Sequence, residues 1–240
     1  MNEKRTNTCN RPFIFLNAAV SADGKISTKE RKQVKISGDS DFERVDELKK
    51  DSDAVMVGIG TVLADDPSLT IKSENRKKYR KDNGFDENPA RIVVDSNGRT
   101  PIDADIIKKG EGKRVIAVSK CAPEEKIKTL EKKAEVIVAG NDKVDLKILV
   151  EKLKDMGIEK LMVEGGSNLN WSLLSLKLVD EIHAFIGNLI IGGSTAPSLV
   201  DGSGFPEIDM LKLKLVDFEQ MDEGLLVRWQ VKNSEKSECF

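Results

Sequence analysis

Leu161-Met162-Val163-Glu164-Gly165-Gly166-Ser167-Asn168-Leu169-Asn170-Trp171 reads as an apolar strand that carries a carboxylate and then a glycine pair to the start of a helix. A Gly-Gly pair in that position lets main-chain N–H groups approach an anion, and the helix start adds partial positive charge. Glu164 falls at the carboxyl end of the strand, where open α/β sheets place their ligands. The same letters also describe an ordinary tight turn with a solvated glutamate, since glycine punctuates many turns.

Outward from this stretch, short apolar runs alternate with helical patterns. Strands are expected at Phe13–Val20, Ala54–Gly60, Arg91–Asp95, Arg114–Val118, Glu135–Val138 and Lys160–Val163. Helices fit between them at Glu124–Lys133 and Leu146–Met156, the latter with Leu149, Val150 and Leu153 as its apolar face. A further helix is expected after Ser40, where Ser40 and Glu43 resemble a capping box and Phe42, Val45 and Leu48 recur at helical spacing. This alternation predicts an α/β fold with a mostly parallel central sheet flanked by helices. After Trp171 the pattern changes. Runs near Glu181–Ile186, Leu211–Phe218 and Gly224–Val231 lack a clear helix between the last two, which predicts an antiparallel C-terminal edge hairpin.

The chain of 240 residues is read as one domain over 11–232, with a flexible segment 1–10 and a charged tail 233–240. Lys72 to Asn88, rich in Lys and Arg, is expected to be a loop or partly disordered insertion, either a basic flap over an anionic ligand or a solvated charged face. With 39% hydrophobic and 33% charged residues and a net charge of −2, the chain offers no global electrostatic reason to seek nucleic acid or an anionic membrane. No apolar run approaches the roughly 20 residues of a membrane span, and the polar N-terminus lacks a signal-peptide pattern, so the cytoplasm is the expected compartment. Cys9, Cys121 and Cys239 are scattered and His183 is the single histidine, which disfavours a disulfide framework, a metal site or a zinc deaminase. His183 lies within a strand pattern and is read as structural.

A second glycine-ended strand leads into Gly58-Ile59-Gly60-Thr61-Val62-Leu63-Ala64-Asp65-Asp66-Pro67. It lacks the third glycine of a dinucleotide fingerprint, and no P-loop motif occurs. If the two strands are parallel, both glycine loops emerge at one sheet edge and one ligand can touch both. Asp65 and Glu164 are then candidate proton donors or substrate-orienting carboxylates, while Thr61 and Ser167 offer hydroxyls. Asp65-Asp66 before proline also fits a cap or turn. Asp95-Ser96-Asn97-Gly98-Arg99 fits either a turn or a ribose and phosphate contact, with Ser96 and Arg99 suited to a 2′-phosphate.

In this order the segments resemble the reductase of riboflavin biosynthesis, a family of the dihydrofolate-reductase-like superfamily that also forms the C-terminal half of bacterial bifunctional deaminase-reductases. The likeness rests on Asn17-x5-Asp23-Gly24-Lys25, Ile36-Ser37, Val57 to Pro67 with Leu69-Thr70, Pro89-x-Arg91 to Ser96, Glu164-Gly165-Gly166-x-x-Leu169-Asn170-Trp171 and Val179-Asp180-Glu181, and extends through Gly192-Gly193 and Pro197 to Phe205. With no deaminase segment, the chain looks like the stand-alone type.

The resemblance implies a dihydrofolate-reductase-like fold, a homodimer, and NADPH, with NADH as the alternative. It implies reduction of the ribosyl side chain of a diamino-ribosylamino-pyrimidinone phosphate to a ribityl chain: the furanose opens to an imine, hydride reaches the former anomeric carbon, and the departing ring oxygen is protonated. Carried over by position, Thr61 and Asp65 lie at the cofactor–substrate junction, Asp95, Ser96, Asn97, Gly98 and Arg99 near the adenosine phosphate, and Gly165, Gly166, Ser167, Asn168 and Leu169 around the pyrophosphate. Lys49 and Lys72 face the substrate's phosphate, Asn17, Asp23 and Lys25 its ribose and base, with Leu69 beside it. Glu164 orients the substrate or handles a proton. A catalytically silent nucleotide-binding module and a pterin reductase are the alternatives on the same scaffold.

Overall fold

Apolar runs of four to eight residues bounded by glycine or polar turns form the parallel strands: β1 Phe13–Val20, β2 Ala54–Gly58, β3 Ala90–Val94, β4 Arg114–Val118, β5 Glu135–Val138, β6 Lys160–Val163 and β7 Glu181–Ile186. The computed structural model describes residues 10–32 and 34–232, so the expected flexible segment, apart from Asn10, and the charged tail lie outside the described residues. Two longer strands, β8 Lys212–Met221 and β9 Gly224–Lys232, complete a sheet ordered β5-β4-β3-β2-β6-β1-β7-β9-β8. β1 to β7 pair in parallel, while β9 runs antiparallel to both β7 and β8.

Successive residues of the inner strands enter two different cores. Ile14, Leu16, Met56, Ile92, Leu161 and Val163 face one side, and Phe15, Val55, Val57, Val93 and Met162 face the other. Strands buried on both faces need layers on both sides, which explains their unbroken hydrophobicity. The first face is covered by α6 (Leu146–Asp155) and α7 (Ser167–Ser175), through Leu149, Val150, Leu153 and Leu173. The second is covered by α2 (Ile59–Asp65), α4 (Asp105–Lys108) and α5 (Glu124–Leu130), through Val62, Ile106, Ile107 and Leu130. The four-residue α4, absent from the sequence reading, starts where Asp66 accepts a hydrogen bond from the Asp105 amide at 2.8 Å.

Three local expectations are corrected. β2 ends at Gly58, and Ile59-Gly60 already belong to α2. The helix expected after Ser40 is α1 (Asp39–Lys50), capped at Gly38 without the Ser40–Glu43 box. Its fully buried residues are Asp41 and Asp46; Val45 and Leu48 pack against the second core as their spacing predicts, while Phe42 faces solvent, so α1 packs through charge beside a short apolar stripe.

The third correction concerns residues 72–88, expected as a loop, which contain the helix α3 (Glu74–Asp82). Low hydrophobicity suggested disorder, but the charges have fixed partners. Arg76 bonds Glu43, Asp46 and Glu47 of α1. Arg80, 5% exposed, donates to the carbonyls of Lys50 and Ser52 at the end of α1.

The edge hairpin carries a bulge. Leu213, Leu215 and Phe218 stand opposite Val231, Trp229 and Val227, and the register slips by one residue between Leu215 and Asp217. Strict alternation would send Leu213 and Leu215 to one face and Phe218 to the other. The extra residue, Val216, restores all three to the face that Val227 and Val231 turn toward the core. Beyond β9 nothing among the described residues covers that face: Leu213 is 41%, Leu215 50% and Phe218 65% exposed.

Candidate active site

The carboxyl ends of the parallel strands open into a cleft of about 1980 Å³. Its centre is the pairing of β2 with β6. The Gly58 amide donates to the Gly165 carbonyl at 2.7 Å, and the Glu164 amide to the Met56 carbonyl at 3.0 Å. The two glycine-tipped strand ends therefore lie side by side. Gly165 has φ +96°, a region costly for any side chain, and its bond to Gly166 is cis. A Cβ on Gly166 would sit 3.3 Å from the Thr61 hydroxyl, so bare backbone is what keeps this part of the cleft open.

Gly166 caps α7 without a side-chain hydrogen bond, leaving its leading amides directed to the cleft. Thr61, Gly165, Gly166, Ser167, Asn168 and Leu169 all line the cleft. A narrow anionic linker fits this cradle, because amides and glycine faces are its chemistry. Ser167 itself is tied by its hydroxyl to Asp201 at 2.6 Å.

Next to the glycine pair, Lys49 Nζ lies 3.0 Å from Glu164 Oε1, with side chains only 12% and 19% exposed. α1 supplies this lysine. It also supplies Arg44, which donates to Asn17 Oδ1 at 2.8 Å, and Asp46, which accepts the Lys72 and Ser73 amides. Lys72 Nζ donates to Ser68 Oγ at 2.9 Å and Thr70 Oγ1 at 3.1 Å, with Leu69 between them lining the cleft. Burial lowers the Lys72 pKa, and the neighbouring Lys49 ammonium adds to the effect. A dianion placed here would relieve that repulsion.

Asp65 lines the cleft on the opposite side and has no hydrogen bond or ion pair within the described residues. It is exposed at the helix surface, yet surrounding protein displaces part of its hydration, and this desolvation raises its pKa. The carboxyl thus binds its proton more tightly in the folded than in the unfolded chain. Any associated stability is present below the ordinary value of 3.8 and is lost as pH rises through the raised one. Replacing Asp65 by Asn removes the charge, so the melting temperature of the variant should exceed that of the parent by a margin that widens from about pH 4 to about pH 7. A margin that shrinks with pH would contradict the assignment.

At the far end, Ser96 and Arg99 line the cleft together with Lys120, Lys143 and Lys147. The three lysines were not singled out from the sequence; their signal was a basic residue just after β4 and two flanking the start of α6. Asp95, Asn97 and Gly98 are not part of the cleft lining. Asp95 is fully buried and accepts the Thr100 amide at 2.7 Å and hydroxyl at 2.8 Å, shaping the turn that presents Ser96 and Arg99.

Asp23 and Lys25 are likewise not part of the cleft lining, which resumes at Ile26. Asp23 accepts the Ser21 hydroxyl and the Ile191 and Gly192 amides, which hold its pKa at about 2, and Lys25 bonds the Ala196 carbonyl. Both pin the 189–197 segment. His183 rests beside Phe15 at 5.0 Å between ring centroids and pairs with Glu181, in keeping with a structural reading.

A parallel sheet with a glycine-lined cleft, a lysine–glutamate pair beside it and basic groups at both ends fits an α/β oxidoreductase of the dihydrofolate-reductase-like type. The chain belongs to the RibD C-terminal domain family, whose model matches residues 12–227. It is 46% identical over 217 residues to the 2,5-diamino-6-ribosylamino-4(3H)-pyrimidinone 5′-phosphate reductase of Archaeoglobus fulgidus, covering 90% of this chain and 97% of that one. It is 47% identical over 223 residues to the protein of the same description from Methanothermobacter thermautotrophicus, covering 92% and 99%. In fold it is similar to the riboflavin biosynthesis reductase Rib7 of Saccharomyces cerevisiae, with a TM-score of 0.71 at 23% identity over 95% of this chain and 93% of that one.

Proposed function

We propose that the cleft reduces the ribosylamino side chain of 2,5-diamino-6-ribosylamino-4(3H)-pyrimidinone 5′-phosphate with NADPH, a step of riboflavin biosynthesis. The observation that carries this reading is the side-by-side pairing of the two glycine-tipped strand ends. It sets an anion cradle against the Lys49–Glu164 pair within one cleft. Gly165, Gly166 and the leading amides of α7 hold the cofactor's pyrophosphate, with Ser96, Arg99 and the neighbouring lysines at its adenosine end. When bound, NADPH supplies the hydride that reduces the former anomeric carbon.

The chain's own groups do the rest. Lys72, Ser68 and Thr70 hold the substrate's phosphate, and Asn17, kept in place by Arg44, meets the sugar. Lys49 and Glu164 orient the opened chain against the cofactor. Asp65, in the cleft lining with no side-chain partner within the described residues, donates the proton that the departing ring oxygen takes up. Purified protein should oxidise NADPH only when that pyrimidine is supplied. Absence of turnover with fresh substrate, or equal turnover with a dihydropterin, would reject the reading.

Residues 11–232 act as one reductase domain. The hairpin's bare apolar face covers itself against a second copy, giving a homodimer. The opposite face of β8 carries Lys212, Lys214, Asp217 and Glu219, whose charges suit that face to solvent and leave the apolar face for the contact. Phe218→Lys with Leu215→Lys should convert a dimer into a monomer in sedimentation velocity; an unchanged dimer would place the interface elsewhere. No helix among the described residues is long and apolar enough to cross a membrane. The cytoplasm is the compartment we assign.

A further inference from the structure

The N-terminus of α1 has no cap of its own. Gly38 offers no side chain, and the groups that need partners are the leading amides of a helix whose residues line the substrate end of the cleft. The partner comes from the far end of the chain. Asp222, in the two-residue loop between β8 and β9, accepts the Asp41 amide at 3.3 Å and bonds both the side chain and the backbone of Ser40. The approach is close enough that a Cβ on Gly38 would collide with the Asp222 carboxylate. The loop cannot drift away either, because Gly224 is pressed against the Phe185 ring and the Ile186 carbonyl at the end of β7.

What this contact steadies is a short chain of buried polar groups. Asp41, 2% exposed, holds Arg44 at 2.7 Å, and Arg44 in turn holds the 6% exposed Asn17 at 2.8 Å in the cleft lining. Fraying of the first turn of α1 would release Asp41, then Arg44, then Asn17. The cradle built on β6 and α7 shares none of these bonds.

We propose that Asp222 is a positioning residue for substrate: from the hairpin tip it caps α1 and holds the Asp41–Arg44–Asn17 chain at the substrate end of the cleft. This rests on the reading of that end given above. The hairpin that offers its apolar face to a second copy therefore also sets part of the substrate wall.

Asp222 has φ +49°, so glycine is the substitution that removes the carboxylate without straining the turn. Asp222→Gly should raise the KM for the pyrimidine about five-fold to ten-fold, the scale of one lost cap. The dissociation constant for NADPH should stay within about two-fold, and kcat at saturation should be preserved. Asp222→Asn keeps an acceptor and should restore the parent KM. Amide hydrogen exchange over residues 39–44 should quicken in the glycine variant alone. An unchanged pyrimidine KM, an equal loss of NADPH affinity, or an asparagine variant as impaired as the glycine one would each overturn the proposal. Failure of the parent enzyme to turn over the pyrimidine would instead count against the substrate reading, and the exchange data would still report on the cap.

Discussion

Glu164→Gln is expected to lower kcat by about 100-fold or more while leaving NADPH affinity within about three-fold. The two carboxylate oxygens sit at the carboxyl end of β6, and the side chain reaches Lys49 from a position only 19% exposed. Gln keeps the shape but removes the charge, so the ammonium of Lys49, 12% exposed, is left without its counter-ion in a partly dry cleft. Lys49 then turns to the substrate's phosphate or to solvent, and the opened sugar loses its orientation. The cradle proposed for the cofactor uses backbone amides of residues beyond Glu164 and does not depend on this charge. Steady-state kinetics combined with titration of NADPH fluorescence separates the two quantities. Equal losses in turnover and cofactor binding would assign Glu164 a structural part.

Arg91→Ala is expected to destabilise the fold by about 3–5 kcal/mol, enough to unfold many domains. Arg91 is fully buried in the middle of β3, where a charge is rare. Its guanidinium donates to the carbonyls of Lys109, Gly110, Glu111 and Gly112, closing the loop that leads from α4 into β4. Desolvation pulls its pKa down to about 10, so it stays charged at neutral pH. Truncation takes the side-chain donor from the Lys109 carbonyl, leaves the Gly110, Glu111 and Gly112 carbonyls to Arg114 and Asn88, and opens a cavity beneath them. Chemical denaturation measures the loss; a change below about 1 kcal/mol would show that water or Arg114, which also bonds Gly110 and Gly112, replaces it.

Arg91 illustrates what motif reading can and cannot assign. It stands inside a segment that carries the family likeness, yet its role is to fold a loop. Asp95, four residues on, is similar: the letters Asp-Ser-Asn-Gly-Arg suit a ribose contact or a turn, and only coordinates show the carboxylate buried on Thr100 with Ser96 and Arg99 facing the cleft. Asp23 and Lys25 share a motif with Asn17, but the turn at Gly24 ties their side chains to the 189–197 segment while Asn17 and then Ile26 line the cleft. A motif preserves neighbours in sequence, and a turn sends neighbours in different directions.

Polar packing was the other blind spot. Helix α1 buries Asp41 and Asp46, and α3 is held by Arg76 and Arg80. Hydrophobic periodicity shows α1 through Val45 and Leu48 but has nothing to detect in α3, because the partners that hold α3 are charges and carbonyls of another element. The result was a missed α3 and a misplaced start for α1, on the very wall that carries Lys49, Asp46 and Arg44.

The sequence by itself determined the alternation of buried strands and helices, the two glycine-ended strands and the carboxylates beside them. These rest on local patterns: short runs of apolar residues, glycines where a side chain cannot stand, and polar residues at strand ends. Tertiary structure alone decided that β6 inserts between β2 and β1, that Asp222 reaches α1 across the whole chain, and that a bulge at Val216 gathers the hairpin's apolar residues on one face. Strand order, long-range caps and register depend on contacts between residues far apart in the chain, and no local window of sequence contains both members of such a pair.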